Sequence, residues 1–405
     1  MLFFNILILL PDFKRYLIVS HKDIINLKVI DCLQCMEFKV KYWVDRNGKY
    51  IGRVFCITTW GESHGASLGV VIDGCPPGIE ISSELIQNEL DRRRPGQSSL
   101  SSPRQEKDRV SIRSGLVNNF TTGMPITLEI FNEDVDSATY EHLRDLWRPG
   151  HADYTYDAKY GIRDHRGSGR ASGRETVARV AAGAIAKIIL ARFDIELYAF
   201  TRSIGNVCAQ KVIRDEIEHN AIRCPDPEVL SDMTALIERV KADQDSIGGI
   251  VELRINGLPA GLGDPVFDKF DAVMAYAIMG LGAVKGVEIG DGFKVAQKRG
   301  SENNDEFMMV NDEVVTKTNH CGGVLGGITN GQEFVLRAAV KPPASIGRQQ
   351  ETVTARGDAI TINVQGRHDP TIVPRIVPVV ESMAAIVTVD FLLFQQMILA
   401  FKSGS

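Results

Sequence analysis

The segment from Val379 to Leu393 restricts the folds open to this chain more than any other, because written as a helix it is apolar nearly all round. A helix without a polar face has to be enclosed by other elements, so this one is expected to be buried. The chain has the means to bury it. Its 405 residues correspond to one to three domains, and 44% hydrophobic with 24% charged residues is the balance of a globular protein. That balance excludes wholesale disorder, collagen-like sequence and a polytopic membrane protein. Forty-six Lys and Arg against 51 Asp and Glu leave a net charge of −5, so the chain is no generic polyanion binder, and any basic site must be local.

Strand and helix signals alternate irregularly from Gly52 onward, with no linker or low-complexity tract. Arg53 to Thr59 reads as a buried strand, and Val70 to Asp73 as a second that ends at Pro76-Pro77-Gly78. Ser82 can cap a helix that carries Leu85, Ile86 and Leu90 on one face and stops at Pro95-Gly96. Ser172-Gly173-Arg174-Glu175 has the form of a capping box. Behind it Val177, Val180, Ala181, Ala184, Ile185 and Ile188 make one apolar stripe. A further amphipathic stretch holds Phe267, Phe270, Met274, Ala277, Ile278 and Leu281. Without a regular βαβ alternation the fold class is α+β rather than a doubly wound sheet, in one domain spanning residues 52–405.

Residues 1–51 read separately, as an N-terminal extension that is disordered, or as the product of an upstream start codon with Met36 the alternative. The apolar run Leu2 to Leu10 is far short of the roughly 20 residues that span a bilayer. It also lacks the charge order and cleavage site of a secretory signal. Seven scattered cysteines read as free thiols in a reducing compartment, which places the chain in the cytoplasm; Cys32 and Cys35 are the only close pair.

The chemistry-bearing residues gather at glycine turns. Arg92-Arg93-Arg94-Pro95-Gly96 closes one helix, while Arg148-Pro149-Gly150-His151 and Arg163-Asp164-His165-Arg166 precede Gly167-Ser168-Gly169-Arg170. Guanidinium forks bind carboxylates and phosphates, and a glycine-preceded helix start presents free N–H groups. An anionic small molecule is the natural ligand, although each cluster alone also suits a solvated surface. The runs Gly167 to Gly173 and Gly280 to Gly286 are GxGxxxG, one residue off the dinucleotide pattern. Gly322 to Gly327 suits either close approach of a planar ligand or plain turns. His64 and His151 lie in glycine-flanked loops, as a proton donor beside an anion would. Asp369, in Arg367-His368-Asp369-Pro370, reads equally as a general base or a turn former. No histidine or cysteine spacing suggests a metal, and no aromatic stacking motif suggests nucleic acid.

These motifs together resemble the chorismate synthase family. Thr58-Thr59-Trp60-Gly61-Glu62-Ser63-His64-Gly65 looks like its first signature. Arg92 to Gly96, Arg148 to Asp153, Gly169 to Thr176 and Gly366 to Pro370 resemble the others in the same order. The resemblance covers about Gly52 to Gln395. It implies a compact sandwich of helices and antiparallel sheets, assembled as a homotetramer. It also implies the 1,4-anti elimination of phosphate from 5-enolpyruvylshikimate 3-phosphate to give chorismate, dependent on reduced FMN. By the same resemblance His64 protonates the departing phosphate, His151 hydrogen-bonds the flavin, and Asp369 is the base, acting through flavin N5. Arg93, Arg94 and Arg174 bind substrate. The flavin falls to Arg170, Ala171, Ser172, Gly282, Ala283, Gly326, Lys341, Pro342, Pro343, Ala344, Ser345 and Arg367. The sequence departs from the family pattern at Ala171, Gly173, Gly282, Pro343-Ala344 and Ser99, the last where many members carry arginine. Whether reduced flavin comes from the chain itself or from an external flavin reductase stays open.

Overall fold

The computed structural model describes residues 6–9, 16–19, 49–96, 100, 106–134, 138–364 and 369–403. Cys32, Cys35, Met36, Ser99, Arg367 and His368 lie outside the described residues. Contacts divide the chain after Lys49 into two units. In the first, Ile6–Leu9 and Tyr16–Val19 pair as antiparallel strands, Ile6 opposite Val19.

Two five-stranded sheets, all of whose pairings are antiparallel, frame the second unit. One is built from β1 (Tyr50–Ile51), β2 (Cys56–Gly61), β3 (Ser67–Asp73), β4 (Val110–Ser114) and β5 (Ile126–Phe131), in the order β1-β2-β3-β5-β4. The other contains β6 (Glu196–Ile204), β7 (Val207–Cys208), β8 (Gly249–Asn256), β9 (Val284–Ile289) and β10 (Phe334–Val340), ordered β7-β6-β8-β10-β9. Alternation sets which face is inward. Ile126, Leu128 and Ile130 on β5, and Phe334, Leu336 and Ala338 on β10, are buried while their neighbours are less so.

Helices fill the space between the sheets. α1 (Ser83–Arg93) and α3 (Thr176–Ala191) pack on the first sheet. The long α6 (Val373–Ser403) packs on the second, beside α5 (Phe270–Met279), and α3 lies against α6. Two further helices are α2 (Asp153–Tyr160) and α4 (Pro227–Ala242), the latter against β6 and β7. The expected all-round apolar segment is the middle of α6. That helix is long and apolar enough to cross a membrane, but 94% of its most apolar window is buried inside the protein as core. α3 and α6 approach closely because α3 carries Gly183, where a Cβ would fall 2.2 Å from the Cβ of Ser382.

Two carboxylates on α6 are buried as well. Asp390 accepts the backbone N–H groups of Arg53, Val54 and Phe55 at 2.6–2.9 Å and so ends the chain's entry into β2. Glu381 accepts from Arg92 and Lys187, both at 2.6 Å, and from the amide of Ala199 at 2.9 Å, joining α1, α3 and β6 to α6.

Some expected details differ. Ser82 does cap α1 through the Leu85 amide, but Leu85 itself faces solvent while Ile86 and Leu90 are buried. Phe267 is 90% exposed, because α5 begins only at Phe270. Ser172 accepts from the Arg174 amide as a cap should, yet no reciprocal contact from Glu175 forms. The Glu175 carboxylate instead accepts from Thr59 at 2.7 Å and Arg179 at 2.9 Å, and the Ser172 amide donates to the Gly169 carbonyl.

Candidate active site

Gly167, Ser168 and Gly169 take successive positive φ values of 56°, 71° and 50°, an unusual turn for which two of the three positions are glycine. Both singled-out histidines converge on it. A Cβ on Gly167 would lie 1.8 Å from Nδ1 of His64, so only glycine admits that ring. Tyr140 braces the same imidazole edge-on, with ring centroids 5.2 Å apart. The loop bearing His64 is tied to the turn by the Ser63 amide, which donates to the Gly169 carbonyl at 3.4 Å, and by the Ser172 hydroxyl, which donates to the Ser63 hydroxyl at 3.2 Å.

On the other side, Arg148 donates to the Ser168 hydroxyl at 2.8 Å and forms a two-point pair with Asp153 at 2.8 and 2.9 Å. His151 completes this group, its Nδ1 3.0 Å from Asp153 Oδ1. With one Arg148 terminal nitrogen already serving Ser168 and Asp153, the consistent proton assignment is Nδ1–H on His151 donating to Asp153, which leaves Nε2 for a ligand. Burial opposes ionisation of Asp153, but hydrogen bonds from Arg148 and His151 hold its carboxyl far below the usual range.

Two of the three expected substrate arginines, Arg93 and Arg174, meet in a second cluster around Asp108. Asp108 is buried and shared, one oxygen taking Arg93 at 2.8 Å and the other taking Arg174. Arg93 also reaches the Thr176 hydroxyl at 3.3 Å, and Arg174 reaches Asn132 at 2.8 Å. Burial, together with the charges of Arg375 and Arg174, pushes Arg93 down to about 10 despite Asp108. Arg94 stands at the more exposed helix end, 3.7 Å from Asp91. Asp369 pairs with Arg375 on the first turn of α6.

The residues assigned to flavin divide into three places. Lys341 donates to the carbonyls of Gly150 at 3.2 Å and Pro342 at 3.4 Å, Ser345 accepts from Arg148 at 3.5 Å, and the Lys341 amide donates to the Ala283 carbonyl at 2.9 Å. Lys341 to Ser345 and Ala283 therefore adjoin His151, with Gly282 next to them in open space. Arg170, Ala171 and Ser172 continue the turn, but the Arg170 guanidinium is committed to Gly61 at 3.0 Å and Thr59 at 2.7 Å. Gly326 is apart from both groups. Its hairpin bonds to the start of α5 through Phe270 and Gly327, whereas Ala283 follows the end of that helix, about 15 Å along the axis.

Several partners in this geometry had no sequence signal. Asp108 and Tyr140 sit in unremarkable polar surroundings, whereas Arg375 did carry a signal, as the lone charge in the apolar run from Ile372 to Val380. Arg223 is seen to matter only in three dimensions. Its buried guanidinium donates to the carbonyls of Arg92 at 2.7 Å and Pro374 at 2.8 Å, pinning the end of α1 to the start of α6.

Residues 55–393 match the family model for chorismate synthase. The chain belongs to the chorismate synthase family. It is 52% identical over 351 residues to the chorismate synthase of Chloroflexus aurantiacus, covering 86% of this chain and 96% of that one. The chorismate synthase of Syntrophobacter fumaroxidans is 53% identical over 346 residues, covering 85% and 97%. A chorismate synthase crystal structure superposes with a TM-score of 0.69 at 32% identity, covering 85% of this chain and 93% of that one. As a chorismate synthase the protein is a carbon–oxygen lyase of aromatic amino acid biosynthesis. It eliminates phosphate from 5-enolpyruvylshikimate 3-phosphate and leaves chorismate. Members of the chorismate synthase family use a reduced flavin for this step.

Proposed function

We propose that this chorismate synthase works with reduced FMN seated along Lys341 to Ser345, His64 as proton donor, His151 as flavin ligand and Asp369 as proton acceptor. The observation that carries the reading is the Gly167–Ser168 turn, which has His64 against one residue and Arg148 bonded to the other, with His151 joined to Arg148 through Asp153. The fit to FMN rests on donor chemistry. The ammonium of Lys341 meets neutral carbonyls, and burial together with the nearby charge of Lys285 pushes it below its ordinary value. Two close lysines favour an anion such as the flavin phosphate. Gly282, next to Ala283 and Lys341, opens onto free space, and Gly326 stands apart from that place. Arg170 contributes through its backbone, beside Ala171 and Ser172, and Arg367 completes the set.

Bound reduced flavin lends electron density that no side chain can supply, to a substrate whose departing hydrogen is not acidic. The chain does the rest. Arg93, Arg94 and Arg174 neutralise the substrate's acidic groups. His64 gives a proton to the phosphate as it leaves, and the Gly167 contact and Tyr140 keep its ring in place. His151, its Nδ1 held by Asp153, presents Nε2 as a fixed hydrogen-bonding atom. Asp369 takes up the ring proton.

The working assembly is a homotetramer. The exposed strand Phe307–Val310, with Phe307 and Met309 outward, supports this, since apolar surface of that kind suits a subunit contact. The cytoplasm suits the free thiols Cys56, Cys75, Cys208, Cys224 and Cys321. An elimination with no net redox change consumes no flavin, so the reading requires only that FMN arrive reduced, from the chain itself or from an external flavin reductase. Lys341→Ala is expected to weaken FMN binding about tenfold in an anaerobic titration, the scale of one charge-assisted hydrogen bond. Riboflavin, which lacks the phosphate, should bind both proteins alike. Equal weakening for the two flavins would remove Lys341 from the phosphate.

A further inference from the structure

Arg93 and Arg375 each bury a guanidinium Nε that has no acceptor among the described residues. Arg93 is 2% exposed, and its remaining nitrogens go to Asp108 and Thr176. Arg375 lies on a different helix and holds Asp369 through Nη1. The two guanidinium groups are close enough for one charge to be felt at the other. Asp108 cannot relieve them, since its two oxygens already serve Arg93 and Arg174. A desolvated donor without an acceptor is costly, and two like charges held together add repulsion.

The juxtaposition is also built rather than incidental. Arg223 donates at once to the carbonyl of Arg92, which precedes Arg93, and to the carbonyl of Pro374, which precedes Arg375. To do so Arg223 is itself buried and adopts a φ of 55°, a backbone conformation that arginine seldom takes. Paired, desolvated N–H donors fixed in this way match one class of ligand, an oxyanion.

We propose that Arg375 is a further substrate-binding residue, which with Arg93 takes an oxyanion of the substrate while its Nη1 holds Asp369 beside the same group. The proposal rests on the chorismate synthase reading of the site. It gives Arg375 two tasks, anchoring the substrate and setting the proton acceptor next to it. Lysine, as a point charge, would perform the first in part and the second poorly.

The test uses the full chain with Arg375→Gln and Arg375→Lys, measuring KM and kcat for chorismate formation with reduced FMN. In parallel, thermal unfolding is followed with and without inorganic phosphate. Arg375→Gln is expected to raise KM for the substrate about ten- to a hundredfold and to abolish the phosphate-induced rise in Tm. Arg375→Lys should recover part of the KM and of the Tm shift. A KM within about twofold of the parent's, with the phosphate shift retained, would overturn the proposal. Should Arg375→Gln not fold, Arg375→Lys decides on the same criterion. If the parent makes no chorismate, the reading of the site fails, and the phosphate arm still judges Arg375 by itself.

Discussion

Replacing His64 with alanine is expected to lower chorismate formation by about a hundredfold or more, the scale of a general acid's contribution. The fold should survive. His64 touches Gly167 and Tyr140 at the surface of the turn, while Ser63 and Ser172 continue to hold the loop without it. The loss should therefore appear in kcat, with the substrate's KM changed little, because the arginines that bind its acidic groups are untouched. Asp369→Ala should show a loss of similar size. Near-normal single-turnover rates in either variant would remove that residue from its role.

The second large effect is on stability. Glu381→Ala is expected to destabilise the fold by about 3–5 kcal/mol, the usual consequence of removing one member of a buried ion pair. The alanine would remove one of the two carboxylates that Arg92 and Lys187 share, leaving both to Glu89, and would leave the Ala199 amide without its acceptor. The pH dependence has a definite sign. Burial opposes the charge on Glu381, but Lys187 and Arg92 hold its carboxyl well below the ordinary glutamate value. A carboxylate depressed in the folded state contributes stability that is complete above its unfolded pKa, about 4.3, and is lost as pH falls through the folded value. Asp153, held low by Arg148 and His151, acts in the same direction. Urea unfolding from pH 7 downward should show the parent losing stability in acid and Glu381→Ala losing less. Parallel curves would contradict the assignment.

What the sequence disclosed follows from how local each signal is. Ser82 and Ser172 cap helices through amides three and two residues away, respectively, so their spacing was legible. His64 and His151 stood out because Gly61, Gly65 and Gly150 flank them, whereas the turn they share is built from other glycines, Gly167 and Gly169. The middle of α6 was recognisable as buried from its composition, though not its extension to Val373 and Ser403. Asp108 was invisible because its partner Arg174 lies 66 residues away. Glu175 looked like half of a capping box, and only packing against β2 turns it towards Thr59. Phe267 fitted an apolar stripe, but α5 begins after it, which periodicity alone cannot detect. Sheet order depends on pairings such as β3 with β5, with α1 and β4 between them in the chain, and no local pattern encodes these.

The most direct measurement is made without oxygen. Purified protein is mixed with 5-enolpyruvylshikimate 3-phosphate and dithionite-reduced FMN, chorismate is followed by its absorbance, and oxidised FMN serves as the control. Chorismate and phosphate in equal amounts with reduced flavin, and neither with oxidised flavin, is the result expected of the arrangement around Gly167 and Ser168. Flavin bound but no product formed, or product formed at the same rate with oxidised flavin, would contradict it.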